Sequence, residues 1–161
     1  MSVTLAIVDD ALAPAILRLR PQPEQARYSG LPGDTLPPAL TADGIEPVAV
    51  LDDGEPVGFL VLDSDPVFGQ VAGAPDTLGV RAFFIDRRHQ GRGVGTAALQ
   101  ALPAFVATRH PRVRHLALTV NVGNPVALRA YMRAGFEDTG RYDHSGAHGP
   151  QHVLTLALSH S

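Results

Sequence analysis

A glycine-rich stretch at residues 90–96 is the part of the sequence best suited to bind a phosphate group. Gly91, Gly93 and Gly95 stand at alternate positions, so little side chain would separate the backbone from a docked ligand. An apolar run precedes the stretch, and a segment with helical spacing follows it. The amides of the stretch, together with the free N–H groups of a helix N-terminus, would therefore form a phosphate site.

Two kinds of phosphate-bearing ligand compete for this stretch. Residues 93–98 match the G-x-G-x-x-A pattern of dinucleotide sites, in which the first glycine directly follows a strand and an acid about 20 residues on binds the ribose. Here residues 86–92 stand between the strand and the glycine pair, and the next acid after Gly95 is Glu137. This context disfavours a dinucleotide, and the absence of lysine excludes a Walker-type phosphate loop.

The residues around the glycines resemble the signature of the GNAT family of acyl-CoA N-acetyltransferases. Gln90, Gly93 and Gly95 stand at the spacing of the family's loop, between an apolar strand and a helix. The resemblance covers residues 45–140, and it extends to the N-terminal third only in the order of the elements. The second half of the family pattern also follows in order, with Asn121, Asn124, Ala127, Tyr131, Gly135 and Phe136.

This resemblance implies acetyl-CoA as the acetyl donor, and the chemistry of the loop agrees with it. Coenzyme A carries a pyrophosphate, which the loop amides would hold at the helix N-terminus. In the family, the strand before the loop also offers backbone groups to the pantetheine arm, although core packing alone would explain its apolar side chains. The cofactor-binding residues implied by the resemblance are Phe83, Phe84, Ile85, Gln90, Gly91, Arg92, Gly93, Val94, Gly95, Thr96, Asn121 and Asn124.

Tyr131 occupies the position where the family places the catalytic tyrosine that protonates the sulfur of coenzyme A. A phenol is protonated at neutral pH and can donate a hydrogen bond to a developing thiolate. The alternative is structural, because a tyrosine on the inner face of a helix is often a core residue. The sequence does not single out one residue as the general base. Asp86 could serve, or it could face the loop arginines. Four other acids could serve but are equally explained as solvated surface charges, and a base that acts through water is a further alternative; the four are Glu24, Asp34, Asp63 and Asp65.

The acceptor that the resemblance implies is a primary amine of a small molecule, acetylated by direct attack in a ternary complex. The chain is similar to bacterial diamine and polyamine acetyltransferases at Gln25 and Tyr28, at residues 56–59, and from Arg81 into the loop. It departs from them before the last strand, where residues 148–151 replace their Gly-Glu pair. Two alternatives remain open: a non-catalytic acyl-CoA-binding or sensing domain, and an acetyltransferase that acts on a protein N-terminus.

Composition and charge narrow the class of protein. With 161 residues, of which 45% are apolar, the sequence predicts one domain over residues 1–161. A formal net charge of −3 gives no support for nucleic-acid binding and weak support for a cationic partner. No signal peptide or membrane-spanning run is evident, which predicts a cytoplasmic protein, and the family's tendency is a homodimer.

Two kinds of chemistry are disfavoured by the residues themselves. The chain has no cysteine, so a thioester on the enzyme and thiolate metal sites are excluded. His144, His148 and His152 are spaced by four, but glycine and proline between them disfavour the helix that would align them as metal ligands. We therefore expect no metal.

The elements that must position these residues follow from the periodicity of the apolar positions. Residues 29–44 and 63–77 are interpreted as irregular. Helices are predicted near residues 12–19 and 23–28, from the glycine stretch to Val106 with a kink at Pro103, and between a cap at Asn124 and a C-terminal cap at Gly135. Strands are predicted at residues 3–7, 47–51, 56–62, 78–85 and 116–120, and residues 152–158 close the chain as a strand or part of a hairpin. This order predicts an α/β (α+β) fold of the GNAT type, with a mixed central sheet of about six or seven strands flanked by helices.

Overall fold

The structure is a computed structural model and describes residues 1–159. Helices and strands alternate along the chain, as the mixed pattern of the sequence predicts. In chain order they are β1 (Val3–Ile7), α1 (Ala13–Arg18), α2 (Pro23–Ser29), α3 (Pro32–Thr41), β2 (Ile45–Asp52), β3 (Glu55–Asp63), α4 (Val67–Ala72), β4 (Thr77–Ile85), a short 3-10 helix (Arg87–His89), α5 (Val94–Arg109), β5 (His115–Asn121), α6 (Pro125–Arg133), β6 (Glu137–Asp143) and β7 (Gln151–Ala157).

Seven strands form one mixed sheet in the order β1-β2-β3-β4-β5-β7-β6. The pairs β1–β2, β2–β3, β5–β7 and β6–β7 are antiparallel, whereas β4 and β5 are parallel. The parallel ladder joins residues 77–79 to residues 115–117, while β4 itself continues to Ile85. The predicted α/β fold, with a mixed sheet flanked by helices, is therefore confirmed.

The chain divides into two compact units. Unit 1 comprises Met1–Asp63 and Val80–Ala101, and unit 2 comprises Ser64–Gly79 and the chain from Leu102 onward. The boundaries fall inside β4 and inside α5, so each of these elements contributes to both units.

Unit 1 buries apolar side chains on both faces of its strands. On one face, Phe84 of β4 packs in a cluster with Ile16 of α1 and Leu36 of α3. On the other face, Ile85 packs in a cluster with Val94 of α5. Because successive strand residues point to opposite faces, the end of β4 contributes to both clusters.

In unit 2, α4 covers part of one sheet face. Phe68 and Ala72 pack against a cluster that includes Ala117 of β5 and Val153 of β7. Gly79 of β4 makes this packing possible, because a Cβ there would lie 2.4 Å from the Phe68 ring. Any larger residue at position 79 would therefore displace the helix.

The prediction of irregular chain at residues 29–44 is wrong, because these residues include α3. Proline-rich composition favoured a loop, and Pro37 and Pro38 do each remove a backbone donor from the helix. The helix forms nevertheless, with Pro32 in its first turn, where a missing N–H costs nothing. Leu36 is fully buried, so the tertiary packing of one helical face outweighs the local propensity.

Two further elements differ from the sequence prediction. Residues 63–77 are interpreted as irregular, but they contain α4, which ends at Gly73 in the left-handed conformation. Strand β6 is not located by the sequence, which predicts a C-terminal strand or hairpin without placing the first strand of the hairpin. Its residues are polar and largely exposed, so no apolar alternation marks it. It lies at one edge of the sheet, where its hydrogen bonds with β7 hold it in place.

The helix that follows the glycine stretch is confirmed as α5, with 16 residues. Pro103 lies inside it, and the helix continues through this residue to Arg109. None of the helices within residues 1–159 is long and apolar enough to cross a membrane.

Candidate active site

The glycine stretch forms the turn that carries the chain from β4 into α5. Gly91 and Gly93 both have a φ of 80°, a conformation that side-chain-bearing residues rarely adopt. No atom of residues 1–159 lies within 4 Å of the Cβ that either glycine would carry, so the backbone of the turn borders open space. The sequence expectation of an exposed backbone loop at the start of a helix agrees with this geometry.

The first backbone donors of α5 have no acceptor within the helix. The amide of Ala97 donates to the Gly93 carbonyl, which makes it the first intrahelical hydrogen bond of α5. The amides of Val94, Gly95 and Thr96 consequently have no intrahelical acceptor. Such a helix start carries a partial positive charge and suits an anionic group.

Gly95 has a different role from the two preceding glycines. A Cβ at this position would lie 3.5 Å from Ile85 Cγ1, which is ordinary contact, and its φ is not positive. Gly95 therefore sits where α5 comes close to β4, while Val94 is buried in the same cluster as Ile85.

Two side chains of the stretch contact other parts of unit 1. Gln90 Nε2 donates to the carbonyl of Ile85 at 2.9 Å, so this side chain closes the loop onto the end of β4. Arg92 lies 4.0 Å from the Asp52 carboxylate, and its side chain is more than half exposed. Arg92 is thus the loop cation that is available to a ligand, whereas Gln90 serves the loop itself.

Asp86 is the buried centre of this region, and it contacts an arginine before the loop, as the alternative interpretation of its position predicts. Its side chain is almost fully buried, and Oδ1 accepts from the backbone N–H of Arg20 at 2.9 Å. Oδ2 accepts from Arg88 Nε at 2.9 Å and lies 3.2 Å from His89 Nδ1. One carboxylate therefore ties the segment after α1 to the start of the glycine loop. With both oxygens engaged, Asp86 does not suit the role of general base.

Burial by itself would raise the pKa of Asp86, because a buried carboxylate is poorly solvated. The hydrogen bond from the Arg20 amide, the bond and charge of Arg88, and the contact with His89 outweigh this effect and hold the pKa below its ordinary value. A carboxylate with a lowered pKa stabilises the fold at pH values above its unfolded pKa. That contribution is lost as the pH falls through the lowered folded pKa.

Replacing Asp86 with Ala is expected to lower the free energy of unfolding by about 2–4 kcal/mol, because the Arg20 amide and the Arg88 guanidinium lose their buried acceptor. Denaturant unfolding at neutral pH would measure the loss. The difference from wild type should shrink in acid, where the wild-type carboxylate is protonated. Asp10→Ala removes an exposed acid and is the matched control. Equal stability of Asp86→Ala and wild type would contradict the role assigned to this carboxylate.

Strand β4 contains a feature that the sequence does not reveal. Ala82 has a φ of 58°, which is unusual for a residue with a side chain and costs about 1–3 kcal/mol. It precedes Phe83, Phe84 and Ile85, the residues expected to offer backbone groups to pantetheine. Their side chains pack in the unit 1 clusters, as the structural interpretation of these residues requires. Next to Ala82, Arg81 pairs with Asp63 at 2.9 Å.

Asn121 and Asn124 lie in one turn of unit 2, and both are buried. Asn121 Nδ2 donates to the carbonyl of His148 at 2.7 Å, while its Oδ1 accepts from the Gly123 amide at 2.8 Å. Asn124 caps α6, because its side chain accepts from the Ala127 amide at 3.4 Å. The predicted cap at Asn124 is confirmed, and Asn121 has a structural role in holding the 144–150 connection.

Tyr131 lies in the last turns of α6 and is half-buried. Its ring meets the ring of Phe136 edge-on at 5.9 Å between centroids. The helix ends as predicted at Gly135, where the amides of Gly135 and Phe136 donate to the carbonyls of Met132 and Tyr131. Burial raises the pKa of the Tyr131 phenol, so it remains protonated throughout the neutral range.

The predicted site residues therefore fall into two groups that are each well defined. Unit 1 holds the loop and the end of β4, with Asp86 between them. Unit 2 holds Asn121, Asn124 and Tyr131, all on the segment that leads from β5 into α6.

Comparisons with known proteins identify the family of this chain. The sequence model of the Acetyltransferase (GNAT) family matches residues 13–136. An uncharacterized N-acetyltransferase of Bacillus subtilis (strain 168) is 34% identical over 119 residues, which are 73% of this chain and 74% of the relative. The spermine/spermidine N(1)-acetyltransferase of the same strain is 30% identical over 146 residues, which are 91% of this chain and 95% of that protein.

Solved structures share the fold over nearly the whole chain. A crystal structure of the aminoglycoside acetyltransferase AAC(6')-Ib with coenzyme A has a TM-score of 0.74 at 20% identity, with 97% of this chain and 95% of that one covered. The spermidine N-acetyltransferase of Vibrio cholerae with CoA and spermine has a TM-score of 0.71 at 16% identity, with the same shares covered. Since the family model spans most of the sequence, the chain belongs to the GNAT family and is an N-acetyltransferase.

Proposed function

We propose that this enzyme transfers the acetyl group of acetyl-CoA to a primary amine of a small polycationic molecule, by direct attack in a ternary complex. The observation that carries the proposal is the loop at residues 90–96. Two glycines with positive φ and open space at their Cβ positions expose the backbone where α5 begins. A pyrophosphate fits this cradle, because it needs several converging N–H donors and no intervening side chain.

The donor site would use the chain in two further places. Backbone groups of Phe83, Phe84 and Ile85 would bond the pantetheine arm as an added strand would. These residues lie beyond the end of the ladder that joins β4 to β5, which supports this use of their backbone. Arg92, more than half exposed, would add a positive charge beside the phosphates.

Acetyl transfer to an amine requires a neutral amine, a polarised thioester carbonyl and a hydrogen bond or proton for the departing thiolate. A backbone amide of β4 would polarise the carbonyl. The Tyr131 phenol would donate a hydrogen bond to the sulfur as the carbon–sulfur bond breaks, and its raised pKa keeps the phenol protonated for this role. The amine would lose its proton to water, since the carboxylates of Asp86 and Asp63 are already engaged.

A polyamine is the first acceptor to test. The formal net charge of −3 favours approach of a cation, and the spermine/spermidine N(1)-acetyltransferase of Bacillus subtilis matches over 91% of the chain. The relatives also include aminoglycoside N(6')-acetyltransferases, whose named substrates are amines as well. An amine with several positive charges is the chemistry that these substrates share.

An amine panel would test the proposal through the release of free CoA. We expect turnover with spermine or spermidine, slower turnover with aminoglycosides, and none with a peptide that has a free N-terminus. Turnover of the peptide alone would replace the small-molecule acceptor with a protein N-terminus.

A thermal-shift titration separates donor binding from turnover. Acetyl-CoA at 100 times its dissociation constant should stabilise the fold by about 2.7 kcal/mol, and NAD should have no effect. Stabilisation without turnover of any amine would favour a non-catalytic acyl-CoA sensor. Stabilisation by NAD and not by acetyl-CoA would overturn the proposal.

A further inference from the structure

Four arginines of unit 1 line one pocket of about 500 Å³, which we call the arginine pocket. Two of them come from the end of α1 and the residues after it, and two from the 3-10 helix after β4. The lining consists of Leu17, Arg18, Arg20, Asp86, Arg87 and Arg88. The pocket thus concentrates positive charge in a protein whose formal net charge is −3.

The one acid in the lining offsets only part of this charge, because four arginines stand against one carboxylate. Asp86 is already shared between the Arg20 amide, Arg88 and His89. It binds Arg88 through Nε, which leaves the two terminal nitrogens of that guanidinium for another partner. The guanidinium groups of Arg18 and Arg87 form no hydrogen bond or ion pair within residues 1–159.

The buried carboxylate also makes the pocket a defined site. Asp86 fixes the backbone at Arg20 and the side chain of Arg88, and the Arg87 amide donates to the Arg20 carbonyl at 2.8 Å. Arg20 Nη1 donates to the carbonyls of Leu17 and Leu19 at the end of α1. Two of the four guanidinium groups are therefore held in position before any ligand arrives, which lowers the entropy lost on binding.

The arginine pocket is separate from the glycine loop. Phe84 packs in a cluster with Ile16 of α1, whereas Ile85 packs with Val94 and Ala98 of α5. Since successive residues of β4 face opposite sides, α1 and the start of α5 lie on opposite faces of this strand. The pocket belongs to the α1 side, and the free amides of the loop belong to the start of α5.

We propose that the arginine pocket is a second anion site, which binds a phosphate or pyrophosphate group. Guanidinium forks match phosphate oxygens in pairs, and several of them can share one tetrahedral group. A carboxylate has only two oxygens and would satisfy one or two of the four arginines. The volume also exceeds that of a single phosphate, so the group can be part of a larger molecule, such as coenzyme A or a separate phosphorylated compound.

The test titrates inorganic pyrophosphate at constant ionic strength and follows the melting temperature. It uses the Gly93→Glu variant as background, because this change removes the glycine loop as an anion site. We expect saturable stabilisation by pyrophosphate in that background. Adding Arg18→Glu and Arg87→Glu should raise the apparent dissociation constant at least about tenfold, since two charge-assisted contacts are lost.

A matched control separates the pocket from net charge. Arg112→Glu with Arg133→Glu makes the same charge change at two exposed arginines outside the pocket, and it should leave pyrophosphate binding nearly unchanged. The proposal fails if pyrophosphate does not stabilise the background variant. It fails equally if the Arg18/Arg87 variant and the control lose the same affinity. These pyrophosphate titrations contain neither acetyl-CoA nor an amine, so their failure is distinct from a failure of the proposed acetyl transfer.

A second arm identifies the source of the phosphate in the wild-type background. If the pocket holds the 3'-phosphate of coenzyme A, the Arg18/Arg87 variant should lose affinity for CoA and keep its affinity for dephospho-CoA. If the variant instead binds CoA and dephospho-CoA as tightly as wild type does, and pyrophosphate binds in the first arm, the occupant is a separate phosphorylated molecule.

Discussion

Gly93→Glu is expected to weaken acetyl-CoA binding by at least about a hundredfold, which corresponds to about 2.7 kcal/mol. Gly93 has a φ of 80°, and open space surrounds its Cβ position. A glutamate there would place a carboxylate beside the donors that are proposed to hold the pyrophosphate. It would therefore combine charge repulsion, steric bulk and a strained backbone, whose cost is about 1–2 kcal/mol. Isothermal titration with acetyl-CoA measures the effect directly.

Two variants separate these contributions. Gly140 in β6 also has a positive φ, of 78°, and nothing lies within 4 Å of its Cβ position. Gly140→Glu should therefore cost similar stability while leaving acetyl-CoA affinity intact. Gly93→Ala adds strain without charge and should bind with intermediate affinity. Unchanged acetyl-CoA affinity in a folded Gly93→Glu protein would remove the loop from the donor site.

The glycine loop could be predicted from sequence because its chemistry is local. A turn that exposes its backbone at a helix start needs residues without a Cβ atom. Gly91 and Gly93 meet this requirement, and the sequence shows them directly. The caps of α6 are local in the same sense. Asn124 and Gly135 stand at the two ends of the helix, and each satisfies backbone groups within a few residues of itself.

Features that depend on distant residues could not be predicted in this way. The Oδ1 contact of Asp86 is with an amide 66 positions earlier, so nothing beside Asp86 in the sequence marks it as a buried clamp. The arginine pocket also depends on distant residues, since Arg18 and Arg87 are far apart in the sequence and line one pocket only in the folded chain. Ala82 carries no signal either, because alanine is not the residue that a positive φ favours.

The errors in secondary structure have one physical cause. Helices α3 and α4 contain prolines or glycines that favour turns in isolation, and strand β6 lacks an apolar face. In each case contacts with other elements stabilise the structure. Burial of Leu36 and Ala72 stabilises the two helices, and hydrogen bonds with β7 stabilise β6. Local propensity is weaker than these tertiary contacts.

Tyr131→Phe is expected to lower kcat by about a hundredfold, with acetyl-CoA affinity nearly unchanged. The substitution removes one hydroxyl and keeps the ring that packs edge-on against Phe136. Its effect should therefore appear where negative charge develops on sulfur and not in the binding of the ground state. Steady-state kinetics with a saturating amine, together with isothermal titration of acetyl-CoA, would separate the two parameters.

The pH dependence gives this prediction a second readout. Burial raises the pKa of the Tyr131 phenol above its ordinary value of about 10, so ionisation of the phenol should not limit kcat below that pH. A phenol this basic is a weaker acid than a thiol, which favours a hydrogen bond to the developing thiolate over complete transfer of the proton. Tyr131→Phe should consequently lower kcat by a similar factor across the neutral range.

Tyr142→Phe is the matched control for the loss of a phenol. Tyr142 lies on β6 and its side chain is about half exposed, at 52%. Both variants lose one hydroxyl, but only the loss at Tyr131 should reduce turnover. Wild-type kcat in Tyr131→Phe would remove the phenol from the mechanism and leave Tyr131 as a packing residue of α6. A fall in acetyl-CoA affinity without a fall in kcat would assign it to donor binding instead.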